Sequence, residues 1–374
     1  MSERRTSPVE LLWDLVFVFS VTQVTTLIAK DLTWTGFAHG LIVLALVWWA
    51  WSAFVWAANA EDAESRALRA ILLAAMVLAF IAGLALPSAF GSEAPLFALT
   101  YAGVRFLHLG MYAHAARRGN ARWSAISGFA ATVTVGMALL VVGSFLSDRW
   151  QVALWTAALL IDYAGPAWLT RERLRGLQQV AVAHFAERYG LFVIICLGES
   201  IVAIGLSADN QTIDARLVAA VALGLACTVA LWWLYFDRFA EFAESRLREH
   251  DDVVLAAADG YSYLHLVIVA GIIVFAVGMK VTIRDVGGSL SDAARLALCG
   301  GLMLYLVGNV GFRLRLGGAL SRACLAGTVG LVLVYAFGGS LSALWVAALA
   351  AAVLAGTCVL ETERSANHAL TAEP

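Results

Sequence analysis

Charge is what this sequence has least of. Only 14 % of its 374 residues are Asp, Glu, Lys or Arg, against roughly 25 % in soluble domains. The net charge of −2 argues against a nucleic-acid partner, which would require a basic face. Absent too are a Walker A loop, a Gly-x-Ser-x-Gly elbow, a His-Glu-x-x-His pair and a dinucleotide fingerprint, which excludes the chemistries those motifs carry. The five cysteines (Cys196, Cys227, Cys299, Cys324, Cys358) form no Cys-x-x-Cys pair and stand near no histidine at metal-ligand spacing. They read as small buried hydrophobes, and no metal or cofactor is expected. The Arg4-Arg5 start resembles a signal peptide. The segment after it contains Asp14 and runs to membrane-spanning length without an Ala-x-Ala site, so cleavage is not expected.

What is there is apolar surface: 61 % hydrophobic residues and a mean hydropathy of +0.81. A bilayer can cover that much; a soluble fold of this length cannot. A spanning helix takes about 20 mostly apolar residues. On that measure twelve are predicted, over 9–29, 37–57, 70–88, 96–116, 122–146, 150–170, 189–207, 214–236, 258–280, 293–315, 320–338 and 341–360. The expected fold is an all-α polytopic membrane protein of about twelve transmembrane helices, with no soluble domain. The N-terminus and the even-numbered loops hold most of the 25 basic residues, notably Arg117/Arg118/Arg122 and Arg171/Arg173/Arg175/Arg188. The positive-inside rule then puts both termini in the cytoplasm of a plasma (inner) membrane protein.

An internal repeat is visible. Val47-Trp48-Trp49-Ala-Trp51 is followed by Ala63-Glu64-Ser65-Arg66, and Leu231-Trp232-Trp233-Leu-Tyr235 by Ala243-Glu244-Ser245-Arg246. Each pair sits at the end of the second helix of a six-helix set and in the loop after it. The reading is two parallel six-helix repeats, 1–170 and 189–374, joined by a cytoplasmic linker over 171–188. Repeats of this kind are common in transporters, which place their sites between them. The mixed-charge stretch Asp237–Asp252 reads as a solvated hairpin.

Few residues can carry chemistry in such a chain. Glu10 and Asp14 lie four apart on one helix face, and Asp14 is close enough to the boundary to snorkel. His184 and Glu187 are one turn apart. Glu199 sits midway along its apolar segment with Phe192, Cys196 and Ala203 on its face, and Gly198 and Gly205 offer close helix approach. A carboxylate at that depth costs roughly 2.5–3.5 kcal/mol on insertion scales. It is either a functional group or an interhelical hydrogen-bonding group. Arg105 cannot be deprotonated and must find a carboxylate. Asp14 and Glu199 are the favoured partners, Asp162 the third. His108, one turn from Arg105, is the natural proton-exchanging group. Asn309, Arg313 and His265 add polar groups, with Arg313 expected to snorkel. The tryptophans read as an interfacial belt, the alternative being a substrate-stacking wall.

Two stretches carry a resemblance. His184-Phe-Ala-Glu187-Arg188-Tyr-Gly190-Leu-Phe-Val-Ile-Ile-Cys-Leu-Gly-Glu199-Ser200 and Glu10-Leu-Leu-Trp-Asp14-Leu-Val-Phe-Val-Phe-Ser-Val-Thr-Gln23 are similar to hallmarks of the bacterial low temperature requirement protein A (LtrA) family, in the same order and spacing. The resemblance covers the whole chain. It implies a multi-pass membrane protein and brings no reaction with it.

Three functions therefore compete. The first is a secondary transporter or ion-conducting protein in which intramembrane carboxylates exchange a proton, a cation or a small-molecule substrate. The second is a non-catalytic membrane component supporting the envelope, its polar groups serving as structural glue. The third is a membrane-embedded lipid-modifying enzyme using His108, His184 or His265 with a carboxylate as acid–base pair; the lack of a clustered nucleophile weighs against it.

Overall fold

A computed structural model describes residues 6–60, 66–117, 123–165, 180–209 and 211–372. Among them the chain forms twelve helices: α1 Pro8–Lys30, α2 Trp34–Ala60, α3 Arg66–Ala85, α4 Ala94–Arg117, α5 Trp123–Gly143, α6 Asp148–Ala164, α7 Val182–Ala208, α8 Ala215–Arg248, α9 Val253–Arg284, α10 Asp292–Arg315, α11 Arg322–Phe337 and α12 Ala343–Ala372. Ten are long and apolar enough to cross a membrane. The other two are α4, which carries Arg105 and His108, and α6, whose described part is only 17 residues. The Arg118, Arg122, Arg171, Arg173 and Arg175 expectations, Ala63-Glu64-Ser65 and Pro166 lie outside the described residues.

Two element boundaries differ from the sequence reading. α7 begins at Val182, so His184, Glu187 and Arg188 belong to its first two turns and not to a linker. α8 does not end near residue 236. It passes through a π-turn, Tyr235–Phe239, and continues to Arg248, burying Phe239 and Ala243. The stretch read as a solvated hairpin therefore has one buried face. Its charges hid that face because apolar residues at helical spacing alternate with them. A second π-turn, Ala258–Leu264, interrupts α9.

The chain divides into two compact units. The first comprises Met1–Asp31, Thr35–Tyr189 and Leu247–Ser262; the second comprises Leu32–Trp34, Gly190–Arg246 and Tyr263–Pro374. In the first, α1 packs on α3, α3 on α4, α4 on α5 and α5 on α6. The inward stripe of α1 is Trp13, Phe17, Val21, Val24 and Ile28, all buried, which is helical periodicity resolved into packing.

In the second unit α9 pairs with α10, α10 with α11, α11 with α12 and α12 with α8. The α9–α10 contact is made backbone to backbone. A Cβ at Gly271 would run into the backbone of Tyr305, one at Gly301 into Phe275, and one at Gly278 into Leu298. Small residues permit that approach, and dispersion between close-packed backbones then helps to hold the pair. The outward faces of both units are apolar. Leu15, Val77, Leu160, Leu206 and Val229 are more than half exposed, which lipid accommodates and water does not.

Candidate functional site

The start of α1 fixes the first carboxylate. Ser7 caps the helix, Pro8 opens it and Glu10 stands at the third position, a sequence suited to a helix N-terminus. The Glu10 Oε2 atom accepts the Ser7 backbone N–H and hydroxyl, each at 2.8 Å. Glu10 is thereby held in one orientation, and one turn later Asp14 points the same way.

α7 brings the opposite charge. Its Arg188 Nη1 lies 3.2 Å from Glu10 Oε1, and Nη2 donates to Asp14 Oδ1 at 2.6 Å. His184 Nε2 stands 3.5 Å from Glu10 Oε2. From α2, Trp51 Nε1 donates to Asp14 Oδ1 at 2.8 Å. Glu10, Asp14, His184 and Arg188 are all at most 2 % exposed, so four ionisable side chains share one dry site in the first unit. Sequence reasoning missed Arg188, grouping it with the loop arginines. It also allowed Asp14 to snorkel, whereas Asp14 is inside the fold.

A hydroxyl cluster lies in the same unit. Tyr189, next to Arg188, has its hydroxyl 2.6 Å from Ser52 Oγ and 3.2 Å from Ser262 Oγ, while Ser52 Oγ is 3.1 Å from Ser262 Oγ. Trp56 Nε1 donates to Ser262 Oγ, and Trp48 Nε1 to the Ser262 carbonyl, both at 2.7 Å. Ser262 is in the π-turn of α9, a local geometry frequent at functional sites. Trp48, Trp49 and Trp51 are thus buried members of the fold and not an interfacial belt; Trp232 and Trp233, at 43 % exposure, keep that reading.

Arg105 forms a second, separate pairing. Its Nη2 donates to Asp162 Oδ1 at 2.8 Å, with both side chains fully buried. Asp162 is the partner, in place of the favoured Asp14 or Glu199. Asp14 is already committed to Arg188, and Glu199 belongs to the second unit. His108 Nδ1 lies 3.4 Å from Arg105 Nη1, between Phe54, Tyr112 and Phe129.

Glu199 is 3 % exposed on α7, with Phe192, Cys196 and Ala203 buried on the same face as expected. Lys280, one of only two lysines in the chain, lies half-buried on α9 in the same unit. The sequence reading passed over this lysine. Gly198 and Gly205 do not serve close approach, since a Cβ at either meets nothing within 4 Å among the described residues. Glu187 is exposed and stands apart from the buried set. His265 pairs with the Tyr235 hydroxyl at 2.7 Å, and Asn309 donates to the Tyr305 carbonyl at 2.9 Å. Arg313 does not snorkel but meets Glu361 at 2.8 Å. Among the described residues no group of three or more His, Cys, Asp or Glu is placed to hold a metal ion.

The model of the bacterial low temperature requirement A protein family (LtrA) matches residues 5–359. The chain belongs to that family. This LtrA-family chain is also similar to an uncharacterized protein of Rhizobium meliloti (strain 1021), 29 % identical over 307 residues that make up 80 % of this chain and 75 % of the relative. No solved structure matches it. Both the buried cluster and Glu199 fall inside the span matched by the LtrA family model.

Proposed function

We propose that this LtrA-family membrane protein is a proton- or cation-linked secondary transporter or ion-conducting protein, with Glu10, Asp14, His184 and Arg188 as its exchanging site. The observation that carries the reading is the uneven charge of that site. Two carboxylates face one guanidinium and one imidazole, all buried. A group whose only purpose is to hold helices together is best neutral, because an uncompensated buried charge is strongly destabilising. A set with one more carboxylate than permanent cation is suited to pick up one positive charge and release it. Intramembrane ionisable groups are a functional hypothesis by default, and this one names its partners.

Arg105 and Asp162 balance one charge against another, which favours the structural role there, with His108 as their neighbour. Glu199, with Lys280, takes the corresponding pathway role in the second unit. The arrangement proposed is two parallel six-helix repeats with both termini cytoplasmic. In support, α1 and α7 both begin at the cluster, so two helices separated by five others start at one level. Purified protein in liposomes, assayed for proton and cation flux under an imposed gradient, tests the reading. Flux abolished by Glu10→Gln and Asp14→Asn is expected. Equal flux from wild type and both variants, or none from any, would refute it.

A further inference from the structure

We propose, resting on that reading, that the particle exchanged at the cluster is a proton and not a metal cation, and that it is held on Asp14 Oδ2. Charge alone does not separate the two. The two carboxylates outnumber the one permanent positive charge, that of Arg188, and either a proton or a monovalent cation could offset the excess. The hydrogen-bond donors decide.

Three of the four carboxylate oxygens already face N–H or O–H groups. Glu10 Oε2 accepts from the Ser7 N–H and hydroxyl and faces His184; Glu10 Oε1 faces Arg188 Nη1; Asp14 Oδ1 accepts from Arg188 Nη2 and Trp51 Nε1. A hard cation is held by a shell of about six or more oxygens. Here it would meet donor hydrogens and a permanent guanidinium charge. A proton needs one lone pair. Asp14 Oδ2 is buried and has no hydrogen-bond partner among the described residues. Glu10 and Arg188 are the charged groups that act on it.

The step is a simple transfer. A lone pair of Oδ2 takes a proton from hydronium, giving the carboxylic acid and water; release reverses it. After uptake Glu10 still balances Arg188, which cannot lose its own proton, and Trp51 still donates to Oδ1. Every fixed contact of the cluster stays intact.

Difference infrared spectroscopy on the full-length protein in lipid tests this directly. The pH is stepped with choline as the only other cation, then choline is exchanged for Na⁺ or K⁺ at constant pH. The expected result is a protonated-carboxyl band that appears on acidification, is lost in Asp14→Asn and is retained in Glu199→Gln. Trp51→Phe, which keeps the carboxyl and removes one donor, should shift the band, so the test survives poor folding of Asp14→Asn. Carboxylate bands that move with Na⁺ or K⁺ at constant pH would overturn the proton assignment and leave the transport reading standing. A carboxyl band unchanged by both Asp14→Asn and Trp51→Phe would overturn the assignment to Asp14. The expected band without proton flux in liposomes would uphold the proton site and overturn transport alone.

Discussion

One helix contact in each unit shows opposite means of burial. In the first, α1, α2 and α7 meet through charged and hydroxyl groups: Glu10, Asp14 and Arg188, with Ser52 and Tyr189 beside Ser262. In the second, α9 and α10 meet through Gly271, Gly278 and Gly301 with backbone against backbone. Polar stitching in a dry interior is expensive to disturb, because each partner removed strands another. Glycine packing exposes no such partner, and its weakness is steric. Comparable spans can therefore be held either way. Only the polar way leaves groups at the contact itself that can change protonation, so the polar contact is the better candidate for function.

Breaking this contrast gives a graded set of outcomes. Arg188→Ala should have the largest effect, about 3–5 kcal/mol, since it leaves Glu10 and Asp14 buried without a countercharge. Thermal unfolding in detergent checks it, and combining Arg188→Ala with Asp14→Asn should restore part of the loss. Gly301→Val follows, at roughly 1–3 kcal/mol for forcing side-chain atoms into a packed interface. It should destabilise the protein while leaving the infrared signature of Asp14 in place, so a lost signature would show that the units are not independent in this respect. Tyr189→Phe removes the hydroxyl between Ser52 and Ser262 and should cost about 1–3 kcal/mol, the usual loss when buried partners are left unsatisfied. Glu187→Gln should change stability by less than about 0.5 kcal/mol, as exposed substitutions do, and should leave flux at the wild-type level. A flux defect there would return Glu187 to the pathway.

Much of the fold was legible because a bilayer makes hydropathy decisive. Each of the twelve apolar segments overlaps a helix, and Glu10, Asp14 and His184 drew notice as ionisable groups in or at the edge of apolar runs. What stayed hidden was pairing across helices. Spacing along α4 shows that Arg105 needs a carboxylate but not which neighbouring helix supplies it. Asp162 stood inside the sixth predicted segment, but nothing in its spacing ranked it above Asp14 or Glu199. Arg188 follows a loop rich in arginine and sits next to exposed Glu187, so its charge read as part of that loop. Trp51 looked interfacial because composition does not tell an indole facing headgroups from one donating to Asp14. The glycine seam was readable in principle: Gly271 and Gly278 on α9, and Gly301 and Gly308 on α10, repeat at the same interval. Lys280 was equally visible as a lone lysine late in an apolar run.

The central claim is that the unbalanced cluster works while the balanced pair only holds. Two double variants separate these roles: Asp14→Leu with Arg188→Met, and Asp162→Leu with Arg105→Met. Each removes both members of an ion pair together, a change often neutral for stability. Proton flux into liposomes, at matched reconstitution, is the measurement. The account predicts loss of flux from the Asp14/Arg188 variant and flux within about twofold of wild type from the Asp162/Arg105 variant. Retained flux in the first, or equal loss in both, would contradict it.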